Sequence, residues 1–258
     1  MPTAGVALGI ALMLAITTVA AASGVRFPSA SPSGLSITAE LEEPAADGPS
    51  PTVVLLHSAG GIKGDAQWTD YQQRLRRAGF ASLLVDSYGP RGRASMRWWS
   101  GRLSRERVLD AVGAIRYLHT LANVDKNRIA VIGASDGGRV ALELVTGDAA
   151  DAPPVNAVVA YYPACPQHRV TALRAPVLVH EAAREDWPVH CGELFQSLAA
   201  AGALFQRVRY ADARHGFDNP NFASRLWTPG GSLQYDAGSE REAWSRTVEF
   251  LRQHLGSR

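Results

Sequence analysis

The residues with the clearest capacity for chemistry are Gly133-Ala134-Ser135-Asp136-Gly137-Gly138. A serine with glycine two residues away on each side fits a turn so tight that only small residues are tolerated there. The apolar run Ile129–Gly133 precedes it, and a helical pattern over Gly137–Val145 follows. That placement lifts a hydroxyl above a sheet and aims the next backbone N–H at developing negative charge. A hydroxyl is a poor nucleophile unless an imidazole takes its proton and an acid orients that imidazole. In such a site the acid and the base follow the serine in that order, each after a later strand. His215, in Asp212-Ala213-Arg214-His215-Gly216-Phe217-Asp218, follows the last predicted strand and precedes the last predicted helix, where the base is expected. The acid is one of two neighbours in the loop after Val177–His180. Asp186 is preferred because Asp is the commoner orienting acid, and Glu185 is the alternative. Oxyanion donors are expected at the backbone N–H of Asp136 and at that of Ser58 or Ala59, in the turn His57-Ser58-Ala59-Gly60-Gly61. The Asp136 carboxylate must then point away from the oxyanion, because it would oppose the charge being stabilised.

Positioning these groups requires a regular frame. Near-continuous apolar runs at Val53–His57, Ala81–Asp86, Ile129–Gly133, Val155–Tyr161, Val177–His180 and Phe205–Tyr210 read as strands covered on both faces. Helical patterns lie between them at Trp68–Ala78, Ser104–Leu121, Gly137–Val145, Val189–Ala201 and Gly238–Leu255. In the second, Val108, Val112, Ile115 and Leu118 fall on one face. Alternating strands and helices predict an α/β fold with a doubly wound, mostly parallel sheet and helices on both faces. Its chemistry should sit in loops beyond the carboxyl ends of the strands.

A chain of 258 residues, 46% hydrophobic and 19% charged, can bury one sizeable core. Its formal net charge of +2, from 26 Lys+Arg against 24 Asp+Glu, excludes a generally acidic or basic surface. The arginines are scattered among acids rather than interleaved with aromatics, which argues against nucleic-acid binding. No His-x-x-x-His or Cys-x-x-Cys pair stands at ligand spacing, so no metal and no cofactor is expected. From Met1 to Val25 there is no charged side chain, and an apolar run ends in Ala20-Ala21-Ala22-Ser23. Residues 1–22 therefore read as a secretory signal, with an uncleaved anchor as the alternative and the only expected membrane contact. Residues 23–50 read as a polar linker and N-terminal strand region, and 51–258 as one catalytic domain without a large lid. The protein is expected to be exported, periplasmic or secreted.

Taken together, the residues resemble the dienelactone hydrolase family of the α/β-hydrolase superfamily over roughly Pro51 to Leu255. The resemblance rests on His57-Ser58-Ala59-Gly60-Gly61, Val85-Asp86-Ser87-Tyr88-Gly89-Pro90-Arg91-Gly92, Gly133-Ala134-Ser135-Asp136-Gly137-Gly138 and Tyr162-Pro163-Ala164-Cys165. It extends to Glu185-Asp186-Trp187-Pro188, then Cys191, and to His215-Gly216-Phe217. It implies the α/β-hydrolase fold and metal-free hydrolysis of small-molecule esters or lactones through a nucleophile–His–acid triad. Ser135 stands where the founding members carry Cys, which separates this chain from dienelactone itself. The family's acid loop resembles Asp-Asp-Trp-Thr-Pro with the first Asp catalytic; counted from Trp187, that position is Glu185.

Four further features bear on the site. Cys165 and Cys191 are an even pair in a chain read as exported, each in a loop flanking the expected site, so a disulfide is one reading and two buried thiols the other. Arg91 is a candidate for attracting a substrate carboxylate, with a surface arginine as the alternative. Trp187 and the pair Trp98-Trp99 are candidates for lining an apolar pocket. The segment from Asn219 to Gly238 is long for a plain connection and follows His215 directly, which suggests a substrate rim. The expected activity is hydrolysis of a carboxylic ester or lactone through an acyl-enzyme. A peptidase of the same fold and a non-catalytic binding protein are the competing readings.

Overall fold

The computed structural model describes residues 1, 22–45, 48–96, 101–146, 151–165, 172–186, 191–200, 204–228 and 231–256. The expected signal segment, Trp98, Trp99 and Trp187 lie outside the described residues, apart from positions 1 and 22. Eight strands form one sheet: β1 (Ser23–Pro28), β2 (Ser36–Glu42), β3 (Ser50–Leu56), β4 (Ala81–Asp86), β5 (Val124–Ala134), β6 (Ala157–Tyr161), β7 (Val177–Ala182) and β8 (Phe205–Tyr210). Their order is β1-β2-β4-β3-β5-β6-β7-β8. The six strands from β3 to β8 run parallel, and β1 and β2 are antiparallel additions at one edge. Helices α1 (Ala66–Arg77), α2 (Gly101–Leu118), α3 (Asp136–Thr146), α4 (Gly192–Ala200) and α5 (Ala237–Leu255) complete the doubly wound layers. Among the described residues no lid domain is inserted, and no helix is long and apolar enough to cross a membrane.

The apolar runs were legible as strands because both of their faces are buried. Val54, Leu56, Val131 and Val158 face one core with Val112, Ile115 and Val140, from α2 and α3. Their neighbours Val53, Leu55, Ile132 and Val159 face the other core, with Trp68 and Leu75 of α1 and Phe250 and Leu251 of α5. Each fully buried branched side chain contributes about 1.5–3 kcal/mol relative to exposure.

Element ends shift for identifiable reasons. The Asp65 side chain accepts from the Gln67 N–H and starts α1 ahead of Trp68, while Asp236 accepts from the Ser239 N–H and starts α5 at Ala237. The polar stretch read as a linker is instead the connection inside a hairpin. Ser29 to Gly34 turn the chain between β1 and β2, which bury Phe27, Ile37, Ala39 and Leu41. The alternation at Ile37, Ala39 and Leu41 carried that strand, but the polar residues between and around them obscured it.

Candidate active site

Ser135 sits between the end of β5 and the start of α3, with φ at +54°. A non-glycine residue at positive φ is held there only by its surroundings. Its N–H donates to the Tyr161 carbonyl at 3.0 Å, and its own carbonyl accepts from the N–H groups of Arg139 and Ala164. Both flanking glycines are obligatory. A Cβ on Gly133 would strike the Gly137 carbonyl, and one on Gly137 would strike the carbonyls of Leu56 and His57, each inside 3.0 Å. The same contact shows that the start of α3 is pressed onto the end of β3, so Asp136 and the Ser58–Ala59 turn adjoin.

His215 follows β8 and is buried. Its Nε2 lies 2.8 Å from Ser135 Oγ and its Nδ1 lies 2.7 Å from Glu185 Oε2. A carboxylate can only accept, so Nδ1 carries the proton and Nε2 is the acceptor for the serine hydroxyl. The acid loop is laced to the histidine loop by Ala183 N–H to Tyr210 O (3.0 Å) and Arg184 N–H to Ala213 O (2.9 Å). His215 itself pairs with Leu233 of a small hairpin, β9 (Leu226–Thr228) and β10 (Gly231–Leu233), and its carbonyl accepts from the Gln234 N–H. The segment suggested as a rim therefore supports the base through its backbone.

The preference for Asp186 as the orienting acid is corrected. Its carboxylate accepts from the Ser232 N–H (2.8 Å) and Ser232 Oγ (2.7 Å), and pairs with Arg214 and Arg225. It faces the hairpin, while its neighbour Glu185 faces the imidazole. The general frequency of Asp could not decide this, since the direction in which each loop side chain leaves the backbone selects the acid. Counting from Trp187 carried the correct signal.

Arg91 is also corrected as a substrate contact. Its guanidinium is bound by both oxygens of the buried Asp110 (2.8 and 3.1 Å), by Glu106 and by the Ser87 carbonyl. Cys165 and Cys191 form a disulfide with Cα atoms 5.5 Å apart. It ties the loop after β6 to the start of α4, and Cys191 lines a cavity of about 110 Å³ together with Glu185, His215 and Tyr162.

The sequence reading missed the buried polar frame beneath these groups. The Asp136 carboxylate is taken up by two guanidiniums: one oxygen accepts from Arg139 Nε (2.8 Å) and the other from Arg107. Burial works against its charge, but the guanidiniums of Arg107 and Arg139 outweigh it and hold the carboxyl below the usual carboxylate range. Burial, reinforced by Arg107, pushes His57 down to about 3, so its ring is neutral. His57 Nε2 accepts from the Ser87 N–H at 3.3 Å, which leaves Nδ1–H to donate to the Ser58 carbonyl at 2.7 Å. On the other side of the triad, the Tyr162 ring stands 4.6 Å from the His215 ring, centroid to centroid. Its hydroxyl donates to Asp218, which also accepts from Tyr71. Burial pushes Asp218 up to about 6 against those two donors.

Known proteins share this fold. A dienelactone hydrolase-like promiscuous phosphotriesterase from metagenomic libraries superposes with a TM-score of 0.73 at 22% identity, over 92% of this chain and 100% of that one. Thermogutta terrifontis esterase 2, in a structure phosphorylated by paraoxon, does so with a TM-score of 0.69 at 17% identity, over 95% and 99%. In sequence, a probable 2-oxo-3-(5-oxofuran-2-ylidene)propanoate lactonase from Bradyrhizobium sp is 26% identical over 243 residues, covering 86% of this chain and 91% of the relative. The family model for dienelactone hydrolases matches residues 37–255, a span that includes every side chain of the relay and its supports, and the chain thus belongs to the dienelactone hydrolase family.

Proposed function

We propose that this protein is a serine hydrolase that cleaves a carboxylic ester or lactone through an acyl-enzyme, with Ser135 as nucleophile, His215 as base and Glu185 as orienting acid. The observation that carries this reading is the unbroken relay from Ser135 Oγ through both ring nitrogens of His215 to Glu185, with both links under 3 Å. His215 takes the hydroxyl proton as Ser135 attacks the carbonyl carbon, and Glu185 stabilises the imidazolium that forms. Backbone N–H groups of Asp136 and of Ser58 or Ala59 receive the oxyanion. The imidazolium then protonates the departing alkoxide, and water attacks the acyl-enzyme by the same route in reverse. In a lactone the leaving oxygen stays tethered to the acyl group until that second step. The lactonase among the relatives supports ester or lactone chemistry, while the serine nucleophile sets this chain apart from founding members that use cysteine.

Hydrolysis of p-nitrophenyl acetate and covalent labelling by a fluorophosphonate test the reading. Both should be present in the wild type and absent in Ser135→Ala, with kcat down by about 10⁶. Folded wild-type protein that neither labels nor turns over would leave the binding-protein reading in its place.

The proposal includes export. The disulfide supports an oxidising compartment. Cleavage after Ala22 would leave β1, which begins at Ser23, intact. The N-terminal residue of protein recovered from an expressing host tests this.

A further inference from the structure

We infer that Arg107 is the positioning residue of the oxyanion hole, one buried guanidinium that fixes both of its backbone donors at once. The inference rests on the hydrolase reading above. Arg107 leaves α2 and is buried, with 2% of its surface exposed. Its Nη1 donates to the Asp136 carboxylate and its Nη2 donates to the His57 carbonyl. These two groups belong to opposite sides of the hole. Asp136 supplies one donor as the first residue of α3. The His57 carbonyl shares a planar trans peptide with the Ser58 N–H, so tying the oxygen inward turns that N–H to the opposite side. The next peptide is tied in the same way, because the Ser58 carbonyl accepts from His57 Nδ1 and from the Gly61 N–H. None of the hydrogen bonds of the described residues uses the N–H of Ser58 or of Ala59.

The guanidinium is itself held. Its plane is backed by the Tyr88 ring, 5.0 Å from the centroid, and Nη1 lies 3.3 Å from the Tyr88 hydroxyl. A fork of this kind can hold two acceptors at a fixed separation, which a single ammonium cannot do. Oxyanion donors act only if they stand in place before charge develops, and loss of one costs about 10²–10³-fold in kcat. Arg107 touches no reacting atom. Its effect passes through the spacing of the two N–H groups.

Arg107→Met and Arg107→Lys test the inference, with kcat and KM for p-nitrophenyl acetate taken per mole of folded protein. Asp136 keeps Arg139 in both variants, so its buried charge is not orphaned. Arg107→Met should lower kcat about 100-fold with KM within threefold, and Arg107→Lys, which keeps the charge but loses the fork, should fall between it and wild type. A trifluoromethyl ketone, whose serine adduct carries an oxyanion, should bind more weakly by the same factor. The matching secondary alcohol, which forms no oxyanion, should bind unchanged. Either variant folded with wild-type kcat, or equal weakening of ketone and alcohol, would overturn the inference and leave Arg107 a packing residue. If Arg107→Met does not fold, the lysine variant alone decides by the same ratio. A wild type inert to both ester and fluorophosphonate would instead remove the hydrolase reading on which the inference stands.

Discussion

Glu185→Gln and Asp186→Asn are isosteric changes one residue apart, and their effects on catalysis should differ by orders of magnitude. Glu185 accepts the His215 Nδ1 proton at 2.7 Å and is the only carboxylate among the described residues paired with that ring. A glutamine there offers a neutral oxygen or, if turned, an amide N–H that would oppose the imidazole N–H. Either result weakens the tautomer in which Nε2 can receive the Ser135 proton. It also removes the charge that stabilises the imidazolium. The equivalent change in serine protease triads costs about 10⁴ in kcat. The Glu185 side chain is 23% exposed and water can partly replace it, so a loss of about 10³–10⁴ is expected here. That is about 4 to 5.5 kcal/mol of transition-state stabilisation. Asp186 holds Ser232, Arg214 and Arg225 at a position where its side chain is 33% exposed, and pairs at such sites are worth about 0–1 kcal/mol. An asparagine still accepts from the Ser232 N–H, so kcat should stay within about tenfold of wild type. The assay is kcat and KM for p-nitrophenyl acetate, with folding checked by circular dichroism. A loss of 10³ in Asp186→Asn beside a near-normal Glu185→Gln would refute the assignment of the acid.

Other consequences follow from the supports of the site. Gly137→Ala places a methyl group on the carbonyls of Leu56 and His57, so it should abolish fluorophosphonate labelling and lower the melting temperature, whereas Gly24→Ala, which meets nothing, should do neither. Removing the disulfide in Cys165→Ser/Cys191→Ser releases a closure spanning 26 residues. Loop-closure entropy puts that loss at about 3.5 kcal/mol, measurable by urea denaturation, and no change in midpoint would contradict it. Stability should fall as pH drops from 6.5 toward 3. His57 and His180 are both pushed to about 3 by burial, aided by Arg107 and Arg246 respectively, so the unfolded chain takes up their protons first. Asp218 has the opposite sign: raised from 3.8 to about 6, its contribution is full below 3.8 and is lost as pH rises through 6. From these three groups, two protons against one amount to a slope of about 1.4 kcal/mol per pH unit between pH 4 and 6. In His180→Gln that slope should flatten toward zero, and an unchanged slope would show that His180 is not a source of it.

Ser135 and His215, the proposed nucleophile and base, were legible in the sequence because backbone demands fix their positions. Gly133 leaves room for the Gly137 backbone and Gly137 for the carbonyls of Leu56 and His57, and His215 is placed by chain order after β8. The central strands were legible because burial on both faces leaves nearly unbroken apolar runs. What stayed hidden depends on partners remote in sequence. Arg91 looked available because Asp110, which binds it through both oxygens, lies a helix away. Arg107 was not singled out in the sequence, since nothing near it in the chain announces that Asp136 and the His57 carbonyl converge on it. The β1–β2 hairpin was partly hidden for the reason edge strands often are, because only some of its residues reach the core.

The pair Glu185-Asp186 shows why the misread residue still belongs to the working site. The two adjacent carboxylates leave the loop in different directions, and only Glu185 faces the imidazole. Once Glu185 turns to His215, Asp186 is directed outward, where it grips Ser232. Ser232 precedes Leu233 and Gln234, the residues that pair with His215 through its backbone. One dipeptide thus holds the histidine twice, at the ring through Glu185 and at the main chain through Asp186 and β10. Arg107 does the corresponding work on the far side of Ser135, joining the start of α3 to the end of β3. Ser135, held at positive φ, is flanked by two independent clamps, one on the groups that move the proton and one on those that receive the negative charge. Asp186 on one side and Arg107 on the other both lie outside the Ser135–His215–Glu185 relay, and each holds backbone that borders it.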